Sequence, residues 1–405
     1  MAVNFLNNRE VSDLCLGKPP LKWVPIGATV AEALSALKKS GESHVSVWSC
    51  CSDHHSSSKI KSFDNNNAVI VDSPACKCVG KICMVDVICF LCKEENLADP
   101  FKALEASISQ ILLKAPPLSV RHLEPNSSLL QALDYILDGT QNLVIPIESY
   151  ATRNSRKKFL GKPAPFSSTL HNGREYCWIT QEDVVRFILN SIGVFSPIPT
   201  FTIESLNMID HDIMTVHYDE PASSALALIS RSLVEQTSVA VIDENNRLIG
   251  EISPSTLAFC DETVAAAITT LSAGDLLAYI DCCGPSEELV QLVRTRLEGK
   301  NLEAMLDLLE EYSLSSSSSS SASSSCSSDD ESAPIKYGGS GRYSPARRSE
   351  AIVCYPWSSL VAVMIQALAH RVSCVWVAEA DHTLVGIVTF EGMLKVFRSI
   401  AGGIK

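Results

Sequence analysis

No apolar run in this 405-residue chain reaches the roughly 18 residues that a membrane-spanning helix needs. The strongest candidate, ICMVDVICFLC, is short and carries Asp86. No secretory leader is expected either. The N-terminus MAVNFLNNREVSDL places Asn, Arg and Glu where an apolar core is required, and it is too polar and acidic for a transit peptide. Basic charge is scarce: 33 Lys and Arg face 46 Asp and Glu, giving a net charge of −13. That balance argues against a nucleic-acid-binding surface and is accounted for by simple solubility. There is no Walker loop, nucleophile elbow or His–Glu metal helix, so no enzymatic activity is expected. A cytoplasmic protein, or a nuclear one, is the default expectation.

What the chain does contain is enough apolar residue, 46%, for substantial cores, and enough length for two or three domains. Fifteen cysteines are many for such a chain. Most fall in apolar strands or helices, among them Cys83, Cys89, Cys177, Cys260, Cys354 and Cys374. There they act as small buried hydrophobes, and without a secretory signal they are expected to be reduced thiols.

A repeat governs the rest. IGATVAEAL, PNSSLLQAL, PASSALALI and PWSSLVAVM each set a hydroxyl before an apolar helical run: Thr29, Ser128, Ser224 and Ser359. A hydroxyl there is predicted to accept a hydrogen bond from the first helical turn. A buried strand follows each run: HVSVW, NLVIPI, SVAVI and CVWVA. A second strand then leads into a second helix in CVGKICMVDVICFL, EYCWITQEDVVRFI, RLIGEISPSTLAFC and TLVGIVTFEGMLKVF. In the last two copies the hairpin turn is short and polar. In the first two it carries an insertion of roughly two dozen residues. The unit is strand–helix–strand–strand–helix, four times over.

This pattern resembles the cystathionine-β-synthase (CBS) domain. VSDLCLGKPPL, TQNLVIPI, CWITQED, LIGEISPSTL and LSAGDLLAYI are similar to the plant CBS-domain-containing proteins of the CBSX group. The resemblance spans nearly the whole chain. It implies an α+β fold of four β-α-β-β-α repeats that pair as two Bateman modules, repeats 1 and 2 in one and 3 and 4 in the other. The expected division is an N-terminal segment 1–20, repeat 1 at 21–92 with its insertion at about 49–76, and repeat 2 at 118–191 with its insertion at about 149–174. Repeat 3 follows at 210–260, a helical insertion at 261–312, a Ser-rich linker at 313–348 and repeat 4 at 350–400. The Ser tract has nothing to bury and is expected to be a disordered tether. Within it and just after it, Ser327, Ser328, Ser344 and Ser349 are phosphorylation candidates by their acidic, proline and arginine neighbours.

In the family, the turn into the second helix reads Gly–apolar–apolar–Ser/Thr–x–x–Asp. The resemblance implies a hydroxyl on a phosphate and an acid on the ribose of an adenosine ligand: AMP, ADP, ATP or S-adenosylmethionine. A helix N-terminus favours phosphate, and a short carboxylate can take both ribose hydroxyls. Repeat 2 has Thr180 and Asp183, with Cys177 in place of the glycine. Repeat 1 has Gly80 and Asp86, with Cys83 in place of the hydroxyl. Repeat 3 keeps Gly250 and Ser253 but has Thr256 for the acid, and repeat 4 keeps Gly386 and Thr389 but has Gly392. A nucleotide is therefore expected in the first module. Thr180 with Asp183 also fits a helix-capping box that needs no ligand. Arg121 and His122 either face a phosphate or are solvated.

Other clusters are weaker. Cys50, Cys51, His54, His55, Cys76 and Cys78 are donors of the kind zinc takes. They lack the usual two-residue gaps, so the sequence predicts a polar loop and no metal. The basic run ATRNSRKKFLGK at 151–162 reads as a solvated loop, and Cys282–Cys283 as ordinary thiols. Four repeats resemble the regulatory gamma subunit of the Snf1/AMP-activated kinase family, which implies a kinase partner. A thioredoxin partner, a ligand-free scaffold and a homodimer through the CBS modules stand as alternatives.

Overall fold

The computed structural model describes residues 2–50, 76–112, 120–147, 169–281, 285–317 and 351–402. A short helix α1 (Ala2–Asn7) precedes the repeats. Repeat 1 is β1 (Trp23–Pro25), α2 (Val30–Ser40), β2 (His44–Ser49), β3 (Lys77–Cys83) and α3 (Met84–Leu91). Three short helices, α4 (Glu94–Leu97), α5 (Pro100–Glu105) and α6 (Ser109–Leu112), lead on. Repeat 2 is β4 (Val120–His122), α7 (Leu129–Leu137), β5 (Asn142–Ile147), β6 (Glu175–Ile179) and α8 (Gln181–Asn190). Repeat 3 is β7 (Thr215–His217), α9 (Leu226–Glu235), β8 (Val239–Ile242), β9 (Leu248–Ile252) and the brief α10 (Pro254–Leu257). The inserted helices are α11 (Val264–Thr270), α12 (Ala273–Ile280), α13 (Glu287–Gly299) and α14 (Glu303–Ser317). Repeat 4 is β10 (Val353–Cys354), α15 (Leu360–His370), β11 (Cys374–Ala378), β12 (Leu384–Thr389) and α16 (Phe390–Gly402).

Each repeat makes one three-stranded sheet with its strands in chain order. The first pair is parallel and the second antiparallel in all four. A parallel pair needs a crossover, and the first helix of each repeat supplies it. In α2 the apolar Val30, Ala33, Leu34 and Leu37 recur at helical spacing, and all four are buried. Thr29 accepts from the Glu32 amide while Glu32 returns a bond to Thr29, and Gly41 in the left-handed region ends the helix. Ser128 and Ser359 cap α7 and α15 as expected. Ser224 does not. Residues Ala222–Ala225 form a 3-10 turn, and the Ser224 hydroxyl donates back to the Pro221 carbonyl at 2.8 Å.

The sheets pair within modules. Trp48, Cys78, Val144, Tyr176 and Trp178 form the core between sheets 1 and 2. Ala240, Cys374, Trp376, Leu384 and Ile387 do the same for sheets 3 and 4. There the two hairpin tips are stitched together, the Leu248 amide donating to His382 and the Leu384 amide to Asn246. The helices join the modules to each other inside one chain. One core merges the helices of repeats 1 and 3 with α11–α14. The other merges those of repeats 2 and 4 with α1. Between modules, repeat 1 therefore faces repeat 3, and repeat 2 faces repeat 4.

The N-terminal segment belongs to repeat 2. The Val11 and Ser12 amides donate to Ser127 and Pro125, and the Leu21 amide donates to Tyr176 of β6. The chain thus runs along repeat 2 before it enters β1. The phosphorylation candidates Ser327, Ser328, Ser344 and Ser349, the basic run and Cys282–Cys283 lie outside the described residues. Among the described residues, no helix is long and apolar enough to cross a membrane.

Candidate functional site

Repeat 2 holds both residues of its turn in a capping box. The Thr180 amide donates to Asp183 Oδ2 at 2.8 Å, and the Thr180 hydroxyl donates to the same oxygen at 2.9 Å. A third donor reaches that oxygen from far along the chain: Lys18 Nζ, at 2.7 Å. Beside it, the Cys15 thiol donates to the Val11 carbonyl at 3.5 Å. The neighbouring Cys177 thiol lowers the Cys15 pKa, with burial opposing it, while Cys15 raises that of Cys177. The residue that replaces glycine in this turn is thus the one the N-terminal segment contacts. Where a ribose is expected, Asp183 already meets an ammonium group.

Repeat 1 differs. Asp86 is half-buried at the third position of α3 and accepts from the Cys83 amide at 2.8 Å. The Cys83 thiol completes the box in place of a hydroxyl. Burial pushes the Asp86 pKa up, opposed by the Cys83 bonds and the Lys81 charge. Burial pushes Lys81 down. Both residues open on a cleft of about 480 Å³, within the usual range for small-molecule sites. Lys93 and Arg231 also line it, with Phe90, Leu112 and Leu226 as apolar wall. Repeat 1 contributes Lys81, Asp86, Phe90 and repeat 3 contributes Leu226 and Arg231, so the cleft lies between the modules.

The glycines of these turns have a packing role. A Cβ on Gly80 would lie 2.8 Å from Leu112 Cδ2, and one on Gly386 would lie 2.5 Å from the Asp210 carbonyl oxygen. The glycines let α6 and the segment before β7 press onto β3 and β12. In repeat 3, Ser253 accepts from the Ser255 amide and Thr256 is buried. In repeat 4, Thr389 accepts from the Gly392 amide at 3.0 Å. A cleft of about 630 Å³ adjoins that turn, lined by Asp210, Asp212, Glu235 and Glu391 against Arg231 and Lys395. Four carboxylates against two cations suit a polyphosphate poorly. The repeat 1 cleft sets Lys81 and Lys93 against Asp86, with Arg231 shared between the two clefts and paired with Asp212 and Glu235, and suits it better.

Arg121 and His122 do not face these turns. The Arg121 guanidinium lies 4.0 Å from the Tyr135 ring centroid, and His122 Nε2 accepts from the Cys78 amide. Of the sequence-derived metal donors, Cys51, His54 and His55 lie outside the described residues. Cys78 is buried, its thiol donating to the Gly80 carbonyl, and burial pushes its pKa up to about 12. Cys50 and Cys76 do come together, with His171 as an unforeseen neighbour. Lys18, Lys81, Lys93 and Arg231 also escaped the sequence reading. Lys81 alone left a local signal, a charge inside an apolar strand.

A CBS-domain family model matches residues 203–260. The chain is 46% identical to the CBS domain-containing protein CBSX5 of Arabidopsis thaliana, over 98% of this chain and 98% of that protein. The protein belongs to the CBS-domain family. It is also 20% identical to the SNF1-related protein kinase regulatory subunit gamma-like PV42b of Arabidopsis thaliana, over 96% of this chain and 94% of that one. Its fold matches the solved structure of protein MJ1225 of Methanocaldococcus jannaschii, proposed as an archaeal homolog of γ-AMPK. The TM-score is 0.52 at 14% identity, covering 96% of this chain and all of that one.

Proposed function

We propose that the protein is a non-catalytic regulator that binds an adenosine nucleotide in the cleft between repeats 1 and 3 and modulates a protein partner. Asp86 takes the ribose hydroxyls. Lys81, Lys93 and Arg231 take the phosphates, and Phe90, Leu112 and Leu226 pack against the base. The observation that carries this reading is the meeting of one family-type acid with three cations in a single apolar-walled cleft. Asp183 ranks second because Lys18 already pairs with it. The overall likeness to an SNF1-related regulatory subunit supports a kinase of that class as the partner.

The test is a thermal-shift titration with AMP, ADP, ATP and S-adenosylmethionine. A ligand at a hundred times its Kd stabilises by about 2.7 kcal/mol. A folded protein that shifts with none of the four refutes the reading.

A second reading rests on the Cys15–Cys177 thiol pair. Thiol–disulfide exchange with an oxidised thioredoxin-type protein would join these sulfurs, passing two electrons and two protons to the partner's disulfide. Peptide mapping of the peroxide-treated protein tests it. Failure to find a Cys15–Cys177 disulfide removes this reading and leaves the nucleotide reading untouched.

A further inference from the structure

Three residues far apart in sequence converge at the seam between repeats 1 and 2. Cys50 directly follows β2, Cys76 directly precedes β3, and His171 sits before β6. Their donor atoms all lie within 4.8 Å of one another. Cys50 Sγ is 3.4 Å from His171 Nδ1. Tetrahedral zinc with ordinary Zn–S and Zn–N bonds requires a separation of about 3.6 Å between those atoms.

Each donor is fixed by its surroundings. His171 opens an Asn172-Gly173 turn in which both central residues have positive φ, and the His171 and Arg174 amides and carbonyls exchange bonds at 2.9 Å. Its ring stacks on Trp48 with centroids 3.7 Å apart and planes 1° from parallel, and meets the Trp23 ring edge-on. Asn172 then clamps the backbone of Cys76 at both ends: its Oδ1 accepts from the Cys76 amide at 2.9 Å, and its Nδ2 donates to the Cys76 carbonyl at 2.8 Å. The imidazole is 4% exposed, whereas both cysteines are half-buried and reachable.

We propose that Cys50, Cys76 and His171 bind one zinc ion. Two sulfurs and one imidazole nitrogen form a borderline-soft donor set that suits zinc and rejects magnesium or calcium. Binding needs the two thiols as thiolates and releases their protons. Three protein donors leave a fourth position for water or another ligand. The ion ties β2 and β3 of repeat 1 to the hairpin of repeat 2. It also gathers the two roots of the first hairpin insertion at one point. The site is separate from the Asp86 cleft and does not depend on it.

Metal analysis of the full-length protein, purified without a metal-affinity tag and with its thiols kept reduced, is the test. One zinc per chain is expected. Cobalt substitution should give the intense d–d bands of a tetrahedral site with a sulfur-to-cobalt charge-transfer band. His171→Phe keeps an aromatic ring on Trp48 but removes the ligand. It should lower zinc affinity by more than about a hundredfold while the circular dichroism stays unchanged. His171→Cys should restore binding, and Cys78→Ser should not alter it. Zinc retained by His171→Phe overturns the proposal. So does absence of zinc in the reduced wild type after dialysis against excess zinc, or a Cys50–Cys76 disulfide found in the protein as isolated from a reducing cytosol.

Discussion

Lys18 Nζ lies 2.7 Å from Asp183 Oδ2, joining residues 165 positions apart. The N-terminal segment therefore supplies its own cation to the turn that best matches the family's nucleotide pattern. Both side chains are largely shielded, so the pair is stronger than an exposed one. Lys18→Met should destabilise the protein by about 1–2 kcal/mol, since Asp183 loses its charged partner but keeps the Thr180 donors. Urea unfolding monitored by Trp fluorescence reads this. Asp183→Asn should lose a similar amount, and the double variant less than the sum of the two.

The three cations of the repeat 1 cleft predict an order of affinity. Ligands should bind as ATP above AMP above adenosine, and the differences should shrink at high salt. Arg231 is held in place by Asp212 and Glu235 at 3.1 and 2.6 Å. Arg231→Met should weaken ATP by roughly ten- to a hundredfold and adenosine hardly at all. Competition against a fluorescent ATP analogue measures both.

Glu251 is 5% exposed and accepts from Trp376 Nε1 at 2.6 Å across the sheets of the second module. Burial raises its pKa from 4.5 to about 7, against the pull of the Trp376 and Ser238 hydrogen bonds. Between these values the folded protein holds a proton that the unfolded chain has lost. Stability should therefore fall as pH rises from 4.5 to 7, by on the order of 3 kcal/mol, and stay lowered above 7. Glu251→Gln should flatten this slope and stabilise the protein at pH 8. Chemical denaturation across that pH range gives the answer.

Lys38 at the end of α2 reaches Glu262 Oε1 at 2.6 Å, tying repeat 1 to the start of the inserted helices. Glu262 is 7% exposed, and its other oxygen has no hydrogen-bond partner among the described residues. Lys38→Met should cost about 1–3 kcal/mol, the exposure of Lys38 keeping it below the cost for a fully buried pair. Lys38→Met with Glu262→Gln should recover part of that loss in the same unfolding assay.

The repeat was legible because its signals are local. The hydroxyls of Thr29, Ser128 and Ser359 cap helices at the expected places, and the strands between them alternate with apolar helices. Ser224 misled because Pro221 starts a 3-10 turn that uses the same residue types. The site was legible only in part. Asp86 and Asp183 carry the same motif, and what separates them is Lys18 on one and Lys81, Lys93 and Arg231 around the other. Lys18 and Arg231 come from the N-terminal segment and from repeat 3, so no local spacing exposes them, whereas Lys81 and Lys93 flank α3 within repeat 1 and only the fold turns them into the cleft. His171 is similar: the His-Asn-Gly-Arg stretch announces a tight turn, but only the packing of repeat 2 on repeat 1 brings it to Cys50 and Cys76.

The most direct measurement is calorimetric titration of ATP into the wild type, Asp86→Asn and Asp183→Asn at equal concentration and salt. The account predicts binding to the wild type, a loss of at least about tenfold in Asp86→Asn, and near-wild-type affinity in Asp183→Asn. Affinity lost in Asp183→Asn and kept in Asp86→Asn would contradict it.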